Sequence, residues 1–121
     1  MYQTTLKDFA RFKKLIEEYQ DLFELNNWDI MVEHIDIKDS NLEGRTYSDV
    51  RNHCAQIQLN KKCCIKADLE VLAVHEIMHV FFAGMKYLAE CRYLDESEIC
   101  QTHEEEVTKI TNILMKKFKR R

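Results

Sequence analysis

The chain has 121 residues, 18 Lys+Arg against 21 Asp+Glu, a formal net charge of -3, and 45% hydrophobic beside 32% charged residues. These values exclude a disordered or collagen-like polypeptide and give no overall electrostatic bias toward nucleic acid. With no proline and only two glycines, the composition favours long helices in a single domain, 1-121, over an all-β sandwich full of tight turns.

Met1 to Asp8 has no basic patch followed by an apolar block, so no secretory signal is expected. The longest greasy stretch is interrupted by His75, Glu76 and His79, short of the roughly 20 apolar residues that a membrane span needs. A cytoplasmic location is the expectation. Cys54, Cys63, Cys64, Cys91 and Cys100 are odd in number and form no Cys-x-x-Cys pair. Adjacent side chains such as Cys63 and Cys64 tend to point apart, so free thiols in a reducing compartment are expected.

The first element reads as an amphipathic helix. Phe9, Phe12, Ile16, Tyr19 and Phe23 recur at spacings of three and four, and Thr5 with Asp8 offers a capping start. Asn26-Asn27 closes it. From Trp28 the period becomes two through Ile30 and Val32, and then the apolar phase shifts to Ile35 and Ile37, which suggests a bulge near His34. A turn over Asn41 to Gly44 and a short segment from Arg45 to Val50 precede a clean half-buried strand with Ala55, Ile57 and Leu59 on one face. Together these segments predict a small, mostly antiparallel sheet of about three strands.

Asp68 is a good cap for an apolar helix that runs to Gly84, a natural stop. A last helix is expected to start between Asp95 and Ser97, to turn Val107, Ile110, Leu114 and Phe118 inward, and to end in Lys116, Lys117, Lys119, Arg120 and Arg121. The fold class is therefore α+β: an N-terminal helix, the small sheet, a buried helix and a C-terminal helix.

The buried helix carries His75-Glu76-Ile77-Met78-His79. Positions four apart stack on one helical face, so both imidazoles can address one ion, while Glu76 lies about 100° around the axis. That offset suits a general base beside a zinc-activated water better than a ligand. A shuffled chain of this composition would contain the pattern about 2% of the time. Burying two histidines and a glutamate in a greasy helix with nothing to satisfy them would also be costly.

Catalytic zinc usually keeps three protein ligands. The metzincin pattern needs Gly and His where this chain has Phe82 and Met85, which removes that class. A Glu from a following helix is the gluzincin solution, and His103-Glu104-Glu105-Glu106 opens the last helix. Glu106 borders the inner face, His103 and Glu104 also lean inward, and Glu105 points outward, so projection alone does not choose.

Val71 to Gly84, together with Glu106-Val107 through Leu114-Met115, resembles the minimal gluzincin metallopeptidases related to the ImmA/IrrE and SprT-like proteins. In the ImmA/IrrE branch the ligand Glu directly precedes a small apolar residue and another apolar residue follows four positions after it, as Glu106, Val107 and Ile110 do here. The Asn common at the position of Thr108 is absent, and Lys116 replaces the Pro that often follows the Leu-Met pair. The resemblance implies a zincin-like fold, a Zn2+ cofactor held by His75, His79 and Glu106, Glu76 as general base, and a protein or peptide substrate. It also implies a strand, Ala55 to Asn60, bordering the cleft to which a peptide could add. The short, plain domain looks like phage or mobile-element versions of the fold.

His53, Tyr47, Tyr87 and Tyr93 are candidate donors to an oxyanion, and His34 reads as an ordinary strand residue. Two other readings compete with the peptidase: a regulatory protein that keeps the fold and binds a repressor or host factor, and a DNA-associated protein using the basic end. An intact Glu76 opposes the first, and the net charge of -3 opposes the second.

Overall fold

The computed structural model describes residues 3–39, 41–63, 68–91 and 96–119, with only the backbone described for the last three. Helix α1 spans Leu6–Leu22 and begins with a reciprocal cap: the Asp8 N–H donates to Thr5 Oγ1 (3.0 Å) and the Thr5 N–H to Asp8 Oδ2 (2.9 Å). Two of the orphan donors at the helix start are thereby satisfied. Phe12, Leu15, Ile16 and Tyr19 are buried along one face, with Phe9 and Phe23 packed at its border.

Strands β1 (Asp29–Ile35), β2 (Gly44–Asp49) and β3 (Cys54–Asn60) form one sheet in the order β1-β3-β2. The most buried strand, β3, lies between the other two, and its Ile57 and Leu59 are completely buried. Because the chain reverses direction at each connection, β1 and β3 run parallel while β2 and β3 run antiparallel. The α+β layout is the expected one, but the sheet is mixed, with one ladder of each kind in place of the expected mostly antiparallel pairing. The β1 register is uninterrupted from Asp29↔Cys54 to Ile35↔Asn60, so there is no bulge at His34. The apolar phase shifts because β1 ends at Ile35, and Ile37 is buried from the loop that follows.

That loop is organised by Asn60, which is 1% exposed. Its Oδ1 accepts from the Ile37 and Lys62 N–H groups, and its Nδ2 donates to the carbonyls of Asp39 and Leu42. One side chain thus bonds four backbone groups of the surrounding loops, and it fixes the approach to β2. His34 donates from Nε2 to Thr4 Oγ1 (2.6 Å), whose own hydrogen goes to the Asn60 carbonyl, and it stacks on Phe9. Its role is to close α1 onto the sheet.

Helix α2 (Leu69–Phe81) is capped by Asp68, which accepts from the Glu70 N–H (2.9 Å), and lies across the inner face of the sheet. Ala73, Val74 and Ile77 are fully buried there. The helix does not continue to Gly84. It stops at Phe82, whose N–H bonds the Met78 and Val80 carbonyls, and α3 (Ala83–Cys91) leaves at 43°. Gly84 lies inside α3 without a positive φ, so the break follows the Phe81-Phe82 pair and needs no glycine conformation. Among the described residues no single helix is long and apolar enough to cross a membrane.

Helix α4 (Glu96–Lys119) packs on α2 and α3. Its buried line is Val107, Thr111 and Met115, with Ile110 and Leu114 only half-buried. Thr111 is accommodated by donating its hydroxyl to the Val107 carbonyl (2.7 Å). The expected inward Phe118 and most of the basic end, Lys117 to Arg121, lie outside the described side chains. Cys63 is buried, Cys54, Cys91 and Cys100 are exposed thiols, and Cys64 lies outside the described residues.

A Cβ at Gly84 would meet nothing within 4 Å. Gly84→Ala should therefore raise the unfolding free energy by about 0.5–1 kcal/mol in urea titrations. A loss of stability would mean that the residue terminates a helix after all.

Candidate metal centre

His75 and His79 lie one turn apart on α2 and face α4, their rings meeting edge to face at 5.0 Å. His75 Nε2 is 2.7 Å from Glu104 Oε1, and His79 Nε2 is 3.2 Å from Glu104 Oε2. One ligand atom from each of the three residues lies within 4.8 Å of the others. Two imidazoles and a carboxylate converging through these atoms are a donor set suited to zinc, so the residues present fit such an ion.

The third member is thus Glu104, in place of the expected Glu106. Glu106 turns away from the cluster, and its half-exposed carboxylate pairs with Lys109 at 3.6 Å. The reason is the rotation of α4. The buried line through Val107, Thr111 and Met115 passes over Glu104, which lies three residues before Val107 on the same face. Glu105 points outward as expected and accepts from Gln101 Nε2. His103 turns toward α2, where its Nε2 lies 2.8 Å from His79 Nδ1.

Glu76 is 4% exposed and stands outside the convergent set. Its Oε1 accepts from Thr46 Oγ1 at 2.7 Å. Burial raises its pKa, against the opposing pull of His79, the Thr46 hydrogen bond and His75. Strand β2 closes over this carboxylate at Gly44, where a Cβ would stand 2.9 Å from the Gln58 carbonyl and 3.7 Å from Glu76 Cδ. Neither Thr46 nor Gly44 is signalled by the sequence as a site residue. The available clue is the alternation of β2, which turns both toward the face that α2 covers.

The histidines and Glu104 perturb one another. Burial works against charging His75, but the hydrogen bond to Glu104 and the charges of Glu76, Glu104 and Glu43 outweigh it and raise its pKa. Hydrogen bonds from His75 and His79 hold the Glu104 carboxyl well below the usual carboxylate range. Burial, then the neighbouring His79 and Lys86, push His103 down to about 4.

A cleft of about 520 Å³ opens over these groups between β2 and α4, lined by His75, Glu76, His79, Lys86 and Glu104 among others. A second hollow continues it along Ser48, His79 and Tyr87. The strand at the cleft is β2. The expected strand, Ala55 to Asn60, is central, and both its edges are already paired. Of the candidate oxyanion donors, Tyr47 lies beside Arg45 on the opposite face of the sheet from Thr46. His53 stacks on Trp28, and Tyr93 lies outside the described residues. Tyr87 alone among the described candidates lines the cleft, and its hydroxyl accepts from Arg51 Nε at 2.8 Å.

No protein-family model matches the chain, and no curated protein or solved structure matches it.

The metal-free pair of Glu104 and His75 should leave a pH signature. His75, raised above 6.5, contributes stability that is fully present below that value and is lost as pH rises through its folded pKa. Glu104, lowered from 4.5, contributes stability present above that value and lost as pH falls. The stability difference between the metal-free chain and its Glu104→Gln variant should peak between pH 4.5 and 6.5 and shrink above it. Because Glu104 is 55% exposed, solvent will keep the difference small. Thermal melts across pH that show a constant difference would contradict the pairing.

Proposed function

We propose that this chain is a zinc-dependent peptidase of the gluzincin type, with His75, His79 and Glu104 as metal ligands and Glu76 as general base. The observation that carries the reading is the convergence of the two Nε2 atoms and the Glu104 carboxylate beside a buried carboxylate that belongs to none of them. When bound, zinc supplies a Lewis acid that polarises a carbonyl and brings a water near neutral pKa.

The chain's own part is positioning and proton transfer. Glu76 is buried in the wall of the cleft, where burial makes its carboxylate a stronger base than a solvated one. The Thr46 hydroxyl fixes Oε1, which limits the rotation of the carboxylate and supports its use in taking a proton and returning it to a leaving amine. In the metal-free chain the hydrogen bonds from His75 and His79 hold Glu104 ionised, so the carboxylate is already in the form that a metal ligand needs.

The substrate we infer is an extended peptide or unfolded protein segment. In the antiparallel ladder the Asn60 N–H bonds the Glu43 carbonyl, which sets the phase. Arg45 and Tyr47 therefore bond β3, while the backbone groups of Gly44, Thr46 and Ser48 face the outer edge of β2. A peptide added there would lie along the cleft. Exposed thiols at Cys54, Cys91 and Cys100 suit a reducing compartment, and the cytoplasm is the location that goes with this reading.

The purified protein should carry one zinc per chain and cleave members of an unstructured peptide library, read by mass spectrometry. Glu76→Gln should keep the zinc and lose at least about 100-fold in rate. Undiminished cleavage by that variant would contradict the assignment of the base.

A further inference from the structure

His103 plays no part in the ligand set or in proton transfer as described, yet it is the residue that touches a proposed ligand from the side away from Glu104. Its Nε2 lies 2.8 Å from His79 Nδ1, and the two rings are 4.9 Å apart and tilted by 38°. The other nitrogen of His79 is the one that faces Glu104. His79 is therefore held at both ring nitrogens by groups from one turn of α4.

The chemistry of imidazole gives this contact a direction. A ring nitrogen that binds a metal carries no hydrogen, so the single hydrogen of a neutral His79 ligating through Nε2 must sit on Nδ1. That hydrogen needs an acceptor. Metal-bound histidines usually find one in a carboxylate, a backbone carbonyl or water, and the partner fixes both the tautomer and the ring orientation. Among the described residues, the atom that His79 Nδ1 meets is His103 Nε2, which accepts when its own hydrogen is on Nδ1. His103 is itself half-buried, lining the cleft with Lys86, and its neighbour in sequence is Glu104. A single turn of α4 thus supplies a group to the metal side of His79 and a group to its rear.

We propose that His103 is a positioning residue of the metal centre, which accepts the Nδ1 hydrogen of His79 and so turns His79 Nε2 toward the ion. The proposal rests on the metal-site reading above and adds a residue to it. A direct ligand role for His103 would require the ion to sit behind His79, at Nδ1, away from the His75 and Glu104 atoms that converge on Nε2. The observed geometry favours the rear position.

The test compares zinc affinity, by competition with a chromophoric chelator, for the unaltered chain, His103→Leu and His103→Gln, with circular dichroism confirming that the metal-free variants are folded. Leucine removes the acceptor at similar bulk, and the glutamine amide oxygen can take the place of Nε2. Affinity should fall roughly 10- to 100-fold in His103→Leu and return most of the way in His103→Gln. Nitrogen-15 spectra of the zinc-loaded, unaltered chain should show His79 with its hydrogen on Nδ1. Unchanged affinity in His103→Leu overturns the proposal and leaves the metal site standing. Loss in both variants as complete as in His79→Ala makes His103 a ligand and also overturns it. Failure of the unaltered chain to bind zinc overturns the metal-site reading and this proposal with it.

Discussion

A single carboxylate spans the gap between two helices. Glu104 of α4 reaches both imidazoles of α2, at 2.7 Å and 3.2 Å, and the candidate site depends on that bridge. Without a metal the bridge is made of close contacts between the carboxylate oxygens and the two imidazole Nε2 atoms. In the proposed metal-loaded chain the same atoms become the coordination set. The contact is geometrically demanding because one oxygen must address each histidine, and this fixes the rotation of α4 about its own axis as well as its distance from α2.

The hydrophobic core supplies the fixing. Val107 and Met115 of α4 are buried in the same cluster as Ala73, Val74 and Ile77 of α2. Packed side chains tolerate little displacement, so the apolar seam sets where Glu104 arrives. On the other side of α2, the sheet does comparable work for Glu76. Asn60 ties down the loop that delivers β2, the absence of a side chain at Gly44 lets the strand close in, and Thr46 meets the buried carboxylate. Two groups of different burial, a buried Glu76 and a half-exposed Glu104, therefore flank the same pair of histidines. Their pKa values are pushed in opposite directions, up for Glu76 and down for Glu104, so the two carboxylates differ in environment as the proposed roles of base and ligand require.

Much of this was legible in the residues. The spacing of Phe12, Ile16 and Tyr19, the cap at Thr5, the alternation of Ala55, Ile57 and Leu59, and the His75-Glu76-His79 pattern each reflect a local rule that the fold obeys. The choice between Glu104 and Glu106 was not. Taking Val107, Ile110, Leu114 and Phe118 as the inner face puts both glutamates about 75–85° from its centre at 100° per residue, which decides nothing. The buried line observed through Val107, Thr111 and Met115 moves the centre by about 55°, bringing Glu104 within about 20° and sending Glu106 to about 140°. The residue that misleads is Thr111, a polar side chain that is buried because its hydroxyl bonds the Val107 carbonyl. The order of the sheet was hidden for a related reason. Strand periodicity reports which face is buried but not which neighbour is paired, so it could not correct the resemblance, which put β3 at the cleft when it is the central strand.

The most direct test of the account is zinc affinity measured side by side for Glu104→Gln and Glu106→Gln. The bridge through Glu104 predicts a large loss in the first variant and affinity equal to that of the unaltered chain in the second. Zinc retained by Glu104→Gln and lost by Glu106→Gln would contradict it.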